Sequence, residues 1–212
     1  MAADTNFQII VNALAENGVL LENDVKLPSI ASLIAGEPVR GSWWPHSRAQ
    51  LIFTMLQQLA DHRDAVITKL VSGKVTFVHR RLWTAVITIG QAHEAWQLNK
   101  LTAAAKRILN MVEETGSILS SELDWTTRFK SVKPGAAIRD LERRLLIHSE
   151  EFHSDGGAHA KRIETWEHWA DRRNFRVREM ALEAAKQNLE TTIDALNKGF
   201  DANASLPWLK TK

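Results

Sequence analysis

Twice along this chain, apolar residues at helical spacing give way to short segments in which the periodicity changes from 3.6 to 2. The second change is the more constraining, because helical segments between residues 99 and 145 precede two β-rich segments, 146–152 and 160–166. The order helix, helix, helix, hairpin is that of a winged-helix module. The sequence therefore predicts a winged helix over residues 99–166.

Local signals indicate where the helices of this module begin and end. A long helix is expected over residues 102–114 with Gly116 as its stop, and a short helix begins near Ser120 or Ser121. A third helix begins at Pro134, because the missing N–H of proline would be unpaired in a first turn anyway. Its buried stripe consists of three residues at helical spacing, Ile138, Leu141 and Leu145.

The first half of the chain predicts the same order of elements. Helices are expected over residues 5–17, 29–34 and 47–61, and strands over residues 66–71 and 74–78. The two residues between these strands, Ser72-Gly73, are typical of a hairpin turn. Another helix is expected over residues 81–91.

A local match supports a tandem repeat. Residues 12–21 align without gaps on residues 110–119, and in both segments a helix ends at glycine before a short apolar strand. One long helix is expected over residues 174–199, packed back across the modules, with a dimerisation arm as the alternative. The predicted fold class is α+β, mostly helical, with tandem winged-helix (helix-turn-helix) modules at 1–95 and 96–170 and a C-terminal helix and tail at 171–212.

Composition excludes several classes of function. Of the 212 residues, 44% are hydrophobic, which is enough for a core. The absence of cysteine excludes disulfides, thiolate catalysis and cysteine-ligated metals. No signal peptide is recognisable, and no apolar run approaches the ~18 residues of a membrane span. The sequence therefore predicts a cytoplasmic protein without a membrane partner.

The charge distribution is more informative than the net charge of +2. Residues 1–40 hold five acids and two bases, whereas residues 126–148 hold six bases and two acids. Positive charge is thus concentrated near the third helix of the second module. Ordinary surface charge also looks patchy in short windows, and that interpretation stays open.

Arg139 and Arg143 are the best functional candidates, since they share a face of the third helix turned away from its buried stripe. Like charges one helical turn apart cost a little stability, so their presence indicates an anionic partner. In winged helices this helix enters the major groove and contacts phosphates or guanine edges. The alternative is two ion pairs within the helix, Arg139–Glu142 and Asp140–Arg144.

The predicted wing is the second candidate. Gly156-Gly157 forms a flexible turn before a basic strand start, and bases there can neutralise phosphates and make binding salt-dependent. A solvated hairpin tip is the alternative. The predicted nucleic-acid-binding residues are Lys133, Arg139, Arg143, His159, Lys161 and Arg162.

Two further groups of residues give weaker signals. Trp43-Trp44 precedes the third helix of the first module, where an exposed pair could stack on bases, although a core position is more usual for tryptophan. A second basic group lies on or just after the first hairpin and consists of Lys69, Lys74, Arg80 and Arg81.

No motif for catalysis or metal binding is recognisable. His148 and His153 are five residues apart on a predicted strand and therefore point to opposite faces. The sequence contains neither HExxH nor a glycine-rich phosphate loop. We therefore predict no catalytic residues, no metal site and no cofactor.

The tandem winged-helix layout, with Leu141-Glu142-Arg143-Arg144-Leu145-Leu146 running into a hairpin, resembles the bacterial AlkZ-type family. The resemblance covers about residues 5–169. Members of that family are DNA glycosylases, built from tandem winged helices, that act on alkylated or crosslinked DNA. Their catalytic signature is Gln-x-Gln or Gln-x-Asp, and no glutamine of this chain begins such a triplet. The resemblance therefore implies DNA association in a divergent relative without glycosylase activity.

Three hypotheses follow from these patterns. The first is a nucleic-acid-binding protein, regulatory or repair-associated, with double-stranded DNA as the partner. The second is a protein-interaction scaffold, which the low net charge and the many tryptophans suit. The third is a divergent glycosylase, for which Glu164, Glu167 and Asp171 are nominal general bases without a motif behind them.

Overall fold

The computed structural model of the protein describes residues 2–123, 134–153 and 159–210. The chain forms two compact units: unit 1 comprises Met1–Trp83 and Lys186–Lys210, and unit 2 comprises Thr84–Ala185. Over the described residues each unit contains a three-stranded antiparallel sheet, and helix is much commoner than strand. The protein is therefore α+β and mostly helical, as the sequence predicts.

Unit 1 places three helices and a sheet around an apolar core. Its elements between residues 2 and 79 are helices α1 (Ala2–Asn17), α2 (Ile30–Ala35) and α3 (Ala49–Ala60) and strands β1 (Val19–Leu21), β2 (Ala65–Thr68) and β3 (Thr76–His79). The Ser29 hydroxyl caps α2 by accepting a hydrogen bond from the Ser32 amide, and Gly36 ends the helix at positive φ. Strand β3 lies between β1 and β2. The core includes Ile10, Leu14, Ile30, Ile52, Met55 and Phe77.

The first hairpin differs from the sequence prediction. Its ladder ends where Thr68 pairs with Thr76, so both strands are shorter than expected. The Ser72-Gly73 turn is present, with both residues at positive φ as in a type I′ turn. Between ladder and turn, threonine hydroxyls replace ladder bonds by accepting from backbone amides, Thr68 from Leu70 and Thr76 from Val71.

Unit 2 repeats the strand order of unit 1, with its last strand between the other two. After a 3-10 turn (Arg80–Leu82) come α4 (Trp83–Gly90), α5 (Ala95–Leu98), α6 (Ala103–Thr115), β4 (Ser117–Leu119), a 3-10 turn (Ser120–Glu122), α7 (Pro134–Arg143), β5 (His148–His153) and β6 (His159–Glu164). Thr102 caps α6 through a hydrogen bond accepted from Ala105, close to the predicted start. The core includes Ile108, Leu109, Val112, Leu141, Ile147 and Ile163.

The turn that follows helix α7 contains a leucine with left-handed backbone conformation. Leu145 has φ +56, and two backbone bonds close the turn: Leu145 N–H to Glu142 O, and Leu146 N–H to Leu141 O. A non-glycine residue in this region costs about 1 kcal/mol. The buried Leu145 side chain and the hydrogen bond from the Trp166 indole to the Leu145 carbonyl, 2.6 Å, offset that cost. The turn directs the chain from α7 into β5.

The prediction for the C-terminal region is wrong in two places. Trp166 was placed in a strand, but it begins helix α8 (Trp166–Arg172), because Thr165 caps that helix by accepting from the His168 amide. Asn174 was placed at a helix start, but it ends α8 at φ +49, with Phe175 N–H donating to Ala170 O. Residues 175–181 are neither helix nor strand, and helix α9 (Leu182–Gly199) follows before a 3-10 turn (Pro207–Lys210).

A membrane-spanning helix was not expected from the sequence. Within the described ranges, every helix is too short or too polar to cross a bilayer.

Candidate functional site

Helix α7 presents the basic face that the sequence predicts. Ala137, Ile138 and Leu141 are buried, while Arg139 and Arg143 are exposed one turn apart. Neither arginine forms an ion pair with another of the described residues. The arrangement leaves two guanidinium groups available to an anion in solution.

Of the two alternative ion pairs within α7, one forms and one does not. Arg144 binds Asp140 at 2.9 Å and also donates to the carbonyls of Trp96, Gln97 and Asn99, so it joins α7 to the segment before α6. Glu142 instead accepts from the Ser149 hydroxyl, with its Oε1 atom 3.6 Å from Lys161 Nζ. The Arg139–Glu142 pair is thus replaced by contacts of Glu142 with the hairpin.

The predicted basic residues of the wing lie opposite acids. Lys161 Nζ is 3.8 Å from Glu151, its cross-strand partner, and Arg162 binds Glu150, also directly opposite, at 3.1 Å. Both side chains are about one-third exposed. Cross-strand pairs of this kind reduce the positive charge that a wing can offer to phosphates.

His159 and Lys133 are the remaining predicted residues. His159 begins β6 with its backbone opposite His153. Lys133 and the predicted loop at 154–157 lie outside the described residues.

A set of charged side chains in unit 2 surrounds Glu164, at the end of the central strand. Glu164 is fully buried and accepts hydrogen bonds from His148 Nδ1 at 3.1 Å, His168 Nδ1 at 2.8 Å and the Arg172 guanidinium at 2.6 Å. Arg172 also binds Glu150 at 2.9 Å. These bonds tie β5, β6 and α8 together, a group we call the Glu164 cluster.

Hydrogen bonding keeps the Glu164 carboxylate ionised. Burial raises the pKa of Glu164, but the hydrogen bonds from His148, Arg172 and His168 outweigh it, and the pKa falls from 4.5 to about 2. The His148 ring contacts both Trp166 and Trp169, with centroids 5.5 and 5.6 Å apart. Because Glu164 only accepts, both histidines present Nδ1–H to it, and Nε2 is the ring nitrogen left for other contacts.

His148, Glu150 and Glu164 have ligand-type atoms within 4.8 Å of one another. A metal ion needs such atoms deprotonated and free of competing donors. Here the Arg172 guanidinium already binds both carboxylates, and His148 donates to Glu164. Arg172 thus supplies the positive charge that a cation would bring.

A cleft of about 410 Å³ lies beside the cluster, and His168 is one of its lining residues. The wall also includes Glu113, Glu167 and Asp171, and His93 Nε2 lies 3.3 Å from Glu113. Lysine and arginine do not occur among its described lining residues. Three carboxylates repel phosphate, so the cleft is not where a DNA backbone would bind.

Of the three carboxylates considered as general bases, Glu164 already accepts hydrogen bonds from His148, His168 and Arg172 and is therefore not available as a base. Glu167 and Asp171 are exposed at the rim of the cleft. His168, oriented by Glu164, is the residue whose geometry suits proton transfer, and it is not among the residues predicted from the sequence. The sequence does contain a pattern that indicates His168, because Glu164, His168 and Arg172 are spaced four residues apart. This spacing brings side chains together only in a helix, and the segment was predicted as strand and loop.

The tryptophan pair divides between core and surface. Trp43 is buried and donates its indole N–H to Glu22 at 2.7 Å. Trp44 stacks on it with centroids 4.2 Å apart and is 61% exposed.

Fold and site together define an α+β, mostly helical protein of two sheet-containing units, the second with a basic helix face. The chain belongs to the AlkZ-related family, whose model matches residues 5–206. This match confirms the resemblance of the sequence to that family. A search of curated proteins and a search of solved structures both gave no match.

Proposed function

We propose that the protein binds double-stranded DNA through α7, in association with DNA repair or regulation, and catalyses no reaction on it. The observation that carries the proposal is the outward pair Arg139 and Arg143, one turn apart, without ion pairs to other described residues. Membership of the AlkZ-related family supports a repair association.

The surrounding elements support a winged-helix geometry. Helix α6, the 3-10 turn at Ser120–Glu122, helix α7 and the β5–β6 hairpin follow one another in the order of that module. The hairpin is the proposed wing, with Lys161, Arg162 and His159 as its basic residues and Lys133 just before α7. Unit 1 has the same strand order, which supports a tandem repeat.

The absence of catalysis in the proposal rests on two observations. The sequence lacks the Gln-x-Gln or Gln-x-Asp signature, and Glu164, a nominal base, is buried under three hydrogen-bond donors. Incubation with alkylated duplex DNA is expected to release no base above the level of a buffer control. Release that disappears in a His168→Gln variant would overturn this part of the proposal.

The binding proposal is tested by fluorescence anisotropy on a short labelled duplex at salt concentrations from about 50 to 200 mM. Each lost phosphate contact reduces the slope of log K against log salt by about 0.9, so Arg139→Ala/Arg143→Ala is expected to reduce it by about 1.8. Arg40→Ala/Lys198→Ala, which removes two exposed bases elsewhere, is the matched control. No binding at low salt, or equal slopes for both variants, would contradict the proposal.

A protein-interaction scaffold is the second candidate, favoured by the exposed Trp44 indole and the neutralised wing. In that case Trp44→Ala weakens association with a partner protein, while the wild-type protein does not bind DNA. Trp43→Ala is unsuitable as a control, because Trp43 belongs to the core.

A further inference from the structure

Four arginines lie within seven residues at the end of α8, in the segment Arg172-Arg173-Asn174-Phe175-Arg176-Val177-Arg178, which contains no acid. The backbone leaves helical geometry at Asn174 and does not return to it until Leu182. Such a density of like charge is unfavourable unless each group has a partner or faces solvent.

The structure divides these arginines into two pairs. Arg172 binds Glu164 and Glu150, and Arg173 lies over the Trp169 ring with its guanidinium carbon 6.0 Å from the centroid. Arg176 and Arg178 are exposed, and neither forms an ion pair with a described residue. The first pair contacts side chains of unit 2, whereas the second pair is exposed to solvent.

Exposure alternates along the segment as it does in extended backbone. Phe175 and Val177 are partly buried, while Arg176 and Arg178 are exposed. Residues two apart in an extended chain are separated by about 6.6 Å on the same side. Each strand of duplex DNA presents one phosphate per about 3.4 Å of its axis, so the two guanidinium groups can contact phosphates of one strand.

We infer that Arg176 and Arg178 form a second DNA-contacting element, a basic arm that binds the phosphate backbone without reading sequence. This inference rests on the proposed DNA binding and adds a contact outside α7 and the hairpin. Phosphate contacts position a protein on DNA and carry no base specificity. The arm therefore contributes affinity equally to duplexes of different sequence.

The test compares four proteins on duplexes of two unrelated sequences: the wild type, Arg176→Ala/Arg178→Ala, Arg139→Ala/Arg143→Ala and the control Arg40→Ala/Lys198→Ala. The arm variant is expected to reduce the salt slope by about 1.8 and to lower affinity about tenfold or more near 0.1 M salt, equally on both sequences. Arg176→Lys/Arg178→Lys, which keeps the charge, is expected to restore the wild-type slope. Thermal melts that coincide with wild type establish that the fold is unchanged.

The outcomes separate the arm from the proposed function. If the arm variant behaves like the control while the α7 variant loses slope, the arm inference is wrong and DNA binding through α7 stands. If the arm variant loses slope while the α7 variant behaves like the control, the arm stands and the α7 contact fails. Wild-type protein that binds anionic vesicles through these arginines but no duplex would overturn both.

Discussion

The two sheets share one strand order and differ in chemistry. In unit 1 the strand residues are mostly apolar and all but Ile67 and His79 are buried, with Leu20, Phe77 and Val78 at most 2% exposed. In unit 2 the central strand carries Lys161, Arg162 and Glu164, each paired with a charge or histidine on a neighbouring element. The same strand order is thus compatible with either a mostly apolar sheet or a sheet that carries a network of charged side chains.

The basic side chains named in the two units also differ in what they contact. In unit 1, Lys74 binds Asp24 at 2.6 Å, and the Arg81 guanidinium donates to the carbonyls of Ala15 and Glu16 at the end of α1. These cations stabilise a turn and a helix C-terminus. In unit 2, Arg139 and Arg143 face solvent instead. Lys74 and Arg81 thus support the fold of unit 1, whereas Arg139 and Arg143 of unit 2 are exposed and form no ion pair with a described residue.

The largest expected effect falls on the apolar sheet. Phe77→Ala empties the centre of β3 and is expected to destabilise the protein by about 4 kcal/mol, because a buried phenyl ring loses both its transfer free energy and its packing. Urea denaturation measures the loss, and hydrogen exchange locates it in unit 1. A loss under about 1 kcal/mol, or exchange that rises first in unit 2, would contradict the prediction that the buried Phe77 ring stabilises the sheet of unit 1.

A somewhat smaller effect is expected from acid, in unit 2. Because the pKa of Glu164 in the folded state is about 2, below its unfolded value, its stabilisation is complete above about pH 4.5 and is lost as the pH falls towards 2. The loss is about 3 kcal/mol, measured by urea denaturation as a function of pH.

Glu164→Gln is the control for this prediction. It is expected to lower stability at neutral pH, since His148 and Arg172 lose a buried anionic partner, and to remove most of the acid dependence of unit 2. Unit 1 is expected to respond less: the pKa of Asp24 is also lowered, because hydrogen bonds led by Lys74 outweigh its burial, but Asp24 is partly exposed. Equal acid loss in Glu164→Gln and wild type would contradict the role of the cluster.

The smallest effect compares one helix cap in each unit. Ser29→Ala and Thr165→Ala each remove a side chain that accepts a hydrogen bond from the first turn of a helix, and each is expected to cost about 1 kcal/mol. Thr165→Ala should also speed amide exchange at His168 and Arg172, because α8 holds them against Glu164. Thr165→Ser keeps the hydroxyl and should behave like wild type; a full loss in that variant would point to packing of the methyl group instead.

Much of the fold is predictable from local signals in the sequence. Four residues typical of helix ends lie at or beside the ends of helices in the structure: Ser29, Gly36, Thr102 and Pro134. Such residues are recognisable locally, because a cap interacts with backbone groups that are close to it in sequence. Asn174 misled the prediction, since asparagine is favourable at either end of a helix and here takes the left-handed C-terminal position. Local composition does not distinguish these two uses.

The candidate site was predicted in part. Periodicity alone places Arg139 and Arg143 on the exposed face of α7, which the structure confirms. The Glu164 cluster depends on strand register, which puts His148 opposite Glu164 across sixteen residues of chain. The pairing of Lys161 and Arg162 with acids depends on the same register, and hairpin register follows from turn geometry that the alternation of residues does not specify.

Unit 1 is discontinuous along the chain, and this has a consequence for its biosynthesis. Residues 186–210 complete it, through the hydrogen bond from Ser72 N–H to Ser205 O at 2.8 Å and the contact of Lys26 with Asp201. On the ribosome, the residues of unit 2 have all been translated while unit 1 still lacks its final segment. Unit 1 is therefore completed only after all of unit 2 has been synthesised, and until then its sheet packs against helices α1 to α3.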